Sequence, residues 1–108
     1  MKNLILAAVA TTTLTLAAPL MAGAGECDLI GNNDLRHMCK GETILIDKRD
    51  LRLVSSGDCD LVKDNDWRNV CYGRADLVRD PDRRHLAEGD CILIKVRDLR
   101  MLCRGWKR

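Results

Sequence analysis

The chain is poor in the residues that carry enzyme chemistry. It has only two histidines, His37 and His85, and no Cys-x-x-Cys redox motif. Nucleophilic catalysis needs a serine or thiol beside a base, and zinc sites typically use cysteines roughly two to four residues apart, whereas eleven residues separate Cys27 from Cys39. We expect both histidines at surface or half-buried positions, and we expect no enzyme activity, no catalytic residues, no metal and no cofactor.

An excess of charge of one sign is also missing. Lysine and arginine together number 18 against 16 aspartates and glutamates, which gives a formal net charge of +2. Because the two signs are interspersed, the composition argues against a nucleic-acid partner and against an acidic tail. The acidic cluster lacks the spacing of an EF-hand calcium loop, so helix capping accounts for its members, Asp58, Asp60, Asp64 and Asp66.

Long apolar runs are absent beyond the amino-terminal segment. Residues 4–18 are apolar apart from threonines, Lys2 precedes them, and Ala-Gly-Ala at 22–24 has the small residues of a cleavage site. This pattern predicts a signal peptide over residues 1–24, whose apolar part is too short for a membrane span. We expect a periplasmic or secreted mature chain over residues 25–108, without stable membrane insertion.

What the sequence does contain is a sixteen-residue pattern, repeated five times without a gap. The copies are residues 27–42, 43–58, 59–74, 75–90 and 91–106. Position 3 is always leucine, position 8 aspartate, position 10 arginine and position 15 glycine, while position 4 is isoleucine or valine. A period of this kind predicts a single repeat domain in which each copy packs against its neighbours.

The cysteines follow the repeat. Positions 1 and 13 are both cysteine in copies one, three and five, and neither is cysteine in copies two and four. An even number of cysteines in a short exported chain indicates disulfides formed in an oxidising compartment. Descent from a duplicated 32-residue unit would produce the same spacing. The all-or-none pattern nevertheless favours the pairs Cys27–Cys39, Cys59–Cys71 and Cys91–Cys103.

Each copy has the pattern of two short helices. Positions 9, 12 and 13 are apolar or cysteine at helical spacing, and Asp80-Pro81-Asp82 has the composition of a helix start. A second helix is therefore predicted from position 7 to position 14, ending at the glycine. A first helix is predicted over positions 1 to 5, capped by Asp58 and Asp90 in two copies. The predicted fold class is all-α, with stacked short helix-turn-helix repeats stapled by disulfides.

A β-solenoid is the alternative fold, because residues 43–46 and 92–94 have strand-like composition.

In the helical stack, we expect each copy to bury its leucine at position 3, its aliphatic residue at position 4 and its pair at positions 9 and 12. The invariant aspartates and arginines are expected to be structural, with the arginines bridging to aspartates or carbonyls of an adjacent copy. The functional alternative is a ladder of charges that binds a repetitive polymer.

The pattern C-x-x-[IV]-x-x-x-D-x-R-x-x-C-x-G starts at Cys27, Cys59 and Cys91. It resembles short cysteine-containing repeats of small exported bacterial proteins that are mostly uncharacterised. The resemblance spans nearly the whole mature chain and implies export and disulfides. It transfers no catalytic residue, and copies two and four depart from it because they lack the cysteines.

These observations favour a non-enzymatic binding module for a protein or another envelope macromolecule. Terminal copies of repeat proteins usually have a polar outer face, so an apolar last copy predicts a partner surface or self-association through Ile92, Val96, Met101 and Trp106. Alternatively, Trp106 folds over the last helix as a lid. The second function considered is a secreted membrane-active or toxin-like effector, which the near-neutral charge disfavours.

Overall fold

A computed structural model of the protein describes residues 26–106. The predicted signal peptide, residues 1–24, lies outside the described residues. The α-helices are α1 (Asn33–Lys40), α2 (Arg49–Ser56), α3 (Asn65–Tyr72), α4 (Pro81–Glu88) and α5 (Arg97–Gly105). Residues 26–28 before α1 are also helical. Short 3₁₀ turns precede the last four helices, at Thr43–Leu45, Cys59–Leu61, Ala75–Leu77 and Cys91–Leu93.

The described part of the chain is all-helical and contains no strand, so the predicted fold class is confirmed and the β-solenoid alternative is wrong. The predicted boundaries of the second helix are confirmed in copies one to four, where it runs from position 7 to position 14. The helix starts have a local cause in three copies, because the side chains of Asn32, Asp64 and Asp80 each accept a backbone N–H at the first turn.

The helix ends depend on glycine. Gly41, Gly57, Gly73 and Gly89 adopt positive φ angles of 78° to 87°, the left-handed conformation that ends a helix and lets the chain reverse. Gly105 differs, since it lies inside α5.

Replacing Gly73 with valine should lower the free energy of unfolding by about 2 kcal/mol, because a β-branched side chain is unfavourable at positive φ. A Cβ atom at this site would meet no heavy atom within 4 Å, so the cost comes from the backbone conformation alone. The control is Tyr72→Ala, an exposed residue one position earlier, which should cost less. Thermal melts give the order, and the reverse order would contradict the role assigned to the glycine.

The first helix is shorter than predicted in copies two to five. It is a three-residue 3₁₀ turn at positions 1 to 3, and the chain is already extended at position 4. Asp58 and Asp90 precede two of these turns, but neither side chain forms a capping hydrogen bond. The prediction of capped helices over positions 1 to 5 is therefore wrong, because the chain has to straighten at position 4 to reach the start of the α-helix.

Three disulfides join the first turn of a copy to its α-helix: Cys27–Cys39, Cys59–Cys71 and Cys91–Cys103. These are the pairs that the repeat predicts, and no free cysteine remains in the described chain. The paired Cα atoms are 5.5 to 5.6 Å apart, within the usual disulfide range. Each bridge therefore closes one small hairpin within one copy.

Copy two has a hydrogen bond at the place of the disulfide. The hydroxyl oxygens of Thr43 and Ser55, at positions 1 and 13, are 2.7 Å apart. In copy four the same positions are Ala75 and Ala87. Positions 1 and 13 thus lie together in the four copies that have a disulfide or a hydrogen bond there, whether or not a covalent bond is present.

The stack of copies closes into a ring. Each α-helix contacts the helix before it and the helix after it, α5 contacts α1, and no other pair of these helices is in contact within residues 26–106. The first and last copies therefore pack against each other. This arrangement corrects the premise that copy five has a free outer face, because that face covers copy one.

The bonds across the closure repeat those between consecutive copies. Asp98 of copy five accepts the backbone N–H groups of Gly31 and Asn32 at 3.1 and 2.8 Å. Asp66 of copy three accepts the corresponding groups of Arg79 and Asp80 at 2.9 and 3.0 Å. A head-to-tail contact that repeats until it closes relates the copies by an approximate fivefold rotation.

Two residues of each copy fill the core. The aliphatic residue at position 4 is nearly inaccessible to solvent in every copy; these residues are Ile30, Ile46, Val62, Val78 and Ile94. The residue at position 12 is equally buried: Met38, Val54, Val70, Leu86 and Leu102. Position 9 is buried in copies one and two and only partly buried in the other three.

Candidate interaction surface

The invariant leucines at position 3 are exposed, contrary to the prediction that the stack buries them. Between 51% and 54% of each residue is accessible to solvent, and we call the set Leu29, Leu45, Leu61, Leu77 and Leu93 the leucine ring. The physical reason is local, because the backbone becomes extended at position 4, so it is the next side chain that enters the core. The approximate fivefold rotation places the leucines on one circle around the molecule.

Two isoleucines extend the leucine ring. Ile44 and Ile92 at position 2 are 88% and 83% exposed, each directly before a leucine of the ring. The other copies have Asp28, Asp60 and Asp76 at this position. The apolar surface is therefore widest at copies two and five and is interrupted by carboxylates in the other three copies.

The leucines also line open grooves between neighbouring parts of the chain. Leu61 borders a groove with Asp58 and Tyr72. Leu93 borders another with Pro81 and His85 of the preceding copy. These grooves place an apolar wall beside polar and charged groups, which is the usual composition of a recognition surface.

The invariant aspartates are structural, as expected. Each carboxylate accepts two backbone N–H groups at the start of the next copy's α-helix, and around the ring the five acceptors are Asp34, Asp50, Asp66, Asp82 and Asp98. Because both oxygens are occupied, the carboxylates are committed to holding the copies together. The functional alternative was a ladder of aspartates and arginines that binds a repetitive polymer. The aspartates, which are half of that ladder, are occupied by bonds within the protein.

The hydrogen bonds lower the pKa of three of these carboxyl groups. The N–H of Lys63 and then that of Asp64 hold the pKa of Asp50 below its ordinary value of 3.8. The N–H of Arg79 has the largest effect on the pKa of Asp66, and the N–H of Lys95 on that of Asp82, again in the downward direction. Folding therefore favours the ionised form at each site.

The melting temperature should consequently fall in acid. A carboxyl group with a lowered pKa in the folded state contributes its full stabilisation above its unfolded pKa of about 3.9 and loses it as the pH falls through the lower folded value. We expect melting temperatures that change little between about pH 7 and 5 and decline below about pH 4. Asp66→Asn should show a shallower decline than the wild type, and an equally steep decline would contradict the assignment.

The invariant arginines bind within their own copy, not across to the next copy as predicted. The guanidinium group of each donates to the carbonyl at position 4 of the same copy, six residues earlier, at 2.9 to 3.2 Å; the arginines are Arg36, Arg52, Arg68, Arg84 and Arg100. Each carbonyl belongs to a residue whose side chain is in the core. The arginine therefore satisfies a backbone acceptor where the chain leaves the first turn of the copy.

The four residues predicted to bind a partner divide into two groups. Ile92 and Val96 are exposed, at 83% and 50%. Met101 and Trp106 are only partly exposed and pack against the core. Trp106 therefore packs against the core, as the lid alternative expects. Ile92 is part of the exposed apolar surface next to the leucine ring.

Each histidine lies beside a carboxylate. His37 Nδ1 is 2.8 Å from Glu42 Oε1, and His85 Nδ1 is 3.3 Å from Glu88 Oε1. Both histidines are partly buried, in agreement with the surface or half-buried positions expected for them. Asp90 also lies near His85 and Glu88. The atoms with which these three residues could bind a metal ion lie within 4.8 Å of one another. Surface acidic groups commonly cluster in this way, and this cluster has no further feature that points to an ion.

Within residues 26–106, no helix has the length and apolar character required to cross a membrane. Comparisons of the chain with protein-family models, with curated proteins and with solved structures give no match. The class defined by the fold is a closed ring of disulfide-stapled helical repeats.

Proposed function

We propose that the protein is an exported, non-enzymatic binding module that contacts a macromolecular partner through the leucine ring. The observation that carries the proposal is the exposure of the same apolar side chain at the same place in all five copies. Positions 4 and 12 already form the core, so the accessible half of each leucine is left over for another molecule. Exposed apolar surface bordered by polar groups is typical of interaction sites.

The disulfides support the export part of the proposal. Three bridges in a chain of 108 residues are typical of proteins in an oxidising, extracellular environment. A bacterial periplasm and the surrounding medium both fit this condition. The predicted signal peptide is consistent with either location.

The test compares capture of envelope components by purified variants of the mature protein. We expect the wild type to capture a specific component and a variant with Leu45, Leu61 and Leu77 changed to serine to lose it. The control is Val96→Ser, because Val96 is half-exposed to the same extent but lies outside the leucine ring. Mass spectrometry of the captured material identifies the partner.

Folding of each variant is checked by the melting temperature. Loss of capture by the leucine variant with a retained melt, together with capture by the Val96 variant, supports the proposal. Equal capture by the wild type and the leucine variant would refute it. Leakage of lipid vesicles caused by the wild type would instead support the membrane-active alternative, for which the exposed isoleucines are the relevant groups.

A further inference from the structure

Four arginines line one groove of the ring. It lies where copies three and four meet, has a volume of about 520 Å³, and is bordered by Arg68, Arg74, Arg79 and Arg84. Asp76 is the single carboxylate among its lining residues. We call it the arginine groove. Its local charge contrasts with the near balance of charges over the whole chain.

The arginine groove departs from the repeat. At position 16, copies one, two and four have the acids Glu42, Asp58 and Asp90, whereas copy three has Arg74. At position 5, Arg79 is the only arginine among the five copies. The corresponding residues where copies one and two meet include the acids Glu42 and Asp47. Arg68 and Arg84 have counterparts in every copy, so Arg74 and Arg79 are the two residues that make this junction more basic than the others.

None of the four arginines forms a salt bridge among residues 26–106. The neighbouring Arg83 does, since it pairs with Asp64 at 3.0 Å. Four guanidinium groups around one cavity repel one another, and a single carboxylate does not neutralise them. Binding of an anion would relieve this repulsion.

Two of the arginines are held in place by the fold. Arg68 donates to the carbonyl of Val62 and to the side-chain oxygen of Asn65, at 3.0 and 2.9 Å. Arg84 donates to the carbonyl of Val78 at 3.0 Å. A guanidinium has five N–H donors, so both keep donors for a ligand while their position is fixed. The guanidinium carbon of Arg74 lies 4.3 Å from the centre of the Tyr72 ring, a cation-π contact.

We propose that the arginine groove binds a phosphate group, carried either by a small molecule or by a lipid head group. The planar fork of arginine donates two parallel hydrogen bonds to a phosphate, which makes it the preferred side chain for such recognition. The site is separate from the exposed isoleucines that extend the leucine ring at copies two and five. Leu77 belongs to both the arginine groove and the leucine ring. The arginine variants leave every leucine in place, so they test phosphate binding without altering the leucine ring.

The test is a calorimetric titration of the mature, oxidised protein with inorganic pyrophosphate at low salt. We expect the wild type to bind and Arg74→Gln and Arg79→Gln each to weaken binding by about tenfold. The matched controls are Lys63→Gln and Lys95→Gln, which remove the same charge at position 5 of other copies. They should change the affinity by less than about twofold, because their lysines lie at other junctions.

Absence of pyrophosphate binding by the wild type would overturn the proposal, as would equal weakening by the lysine and arginine variants. If Arg79→Gln lowers the melting temperature, Arg79→Lys keeps the charge and removes the fork, and binding should still weaken several-fold. Unchanged affinity of that variant would also overturn the proposal. Vesicles of phosphatidylcholine with and without phosphatidic acid separate the two sources: arginine-dependent binding to the phosphatidic acid vesicles assigns the group to a lipid.

Discussion

Replacing Asp98 with alanine should lower the free energy of unfolding by about 3 kcal/mol, because two backbone N–H groups lose a charged acceptor. Those groups belong to Gly31 and Asn32, at the opposite end of the repeat array. In an open stack, Asp98 would have no following copy to bind and its replacement would be nearly neutral. The size of the effect in urea denaturation therefore measures whether the ring is closed in solution.

The matched controls come from the repeat itself. Asp66→Ala removes the same pair of bonds between consecutive copies and should cost a similar amount. Asp60→Ala removes an exposed carboxylate at position 2 and should change stability by less than about 0.5 kcal/mol. If Asp98→Ala behaves like Asp60→Ala, and not like Asp66→Ala, the closed ring is contradicted.

Introducing a fourth disulfide should stabilise the protein by about 3 kcal/mol in the chain-entropy description of a short closed loop. The variant is Thr43→Cys with Ser55→Cys, since the two hydroxyl oxygens are only 2.7 Å apart at the positions that the other copies bridge. For a domain of this size, the gain corresponds to a rise in melting temperature of roughly 10 °C or more.

Two measurements check the new bridge. Mass spectrometry of non-reduced peptides should show the two introduced cysteines bonded to each other and no free thiol. The wild type is the reference. The variant Ala75→Cys with Ala87→Cys provides the same test in copy four. A rise in melting temperature that persists when the disulfides are reduced would show that another effect of the substitutions is responsible. Unpaired new thiols would contradict the equivalence of positions 1 and 13 in the bridged and unbridged copies.

Local signals made much of the helix pattern predictable. Asp80 followed by Pro81 marks a helix start, and a glycine at position 15 marks its end, because both residues act through the backbone of their immediate neighbourhood. The disulfides were predictable for a related reason. Cysteines at two fixed positions of a copy share one local geometry, so three pairs inherit the same short separation.

The candidate surfaces were less predictable. An invariant leucine is typical of a core position. Leu61 is nevertheless exposed and the neighbouring Val62 is buried, and the sequence contains no feature that distinguishes the two residues in this respect. The difference depends on where the 3₁₀ turn gives way to extended chain. The arginine groove left a trace in the sequence, since Arg74 breaks the acidic pattern of position 16, but its relation to Arg79 and Arg84 requires the packing of two copies.

The amino-acid order alone was enough to establish the repeat, the α-helix of each copy and the pairing of the cysteines, because each depends on contacts within sixteen residues. The closure of the ring could not be read in this way. It depends on the angle between consecutive copies, which the packing at positions 4 and 12 and the aspartate bonds set together. Small changes in that angle, accumulated over five copies, separate an open stack from a ring in which Asp98 meets Gly31.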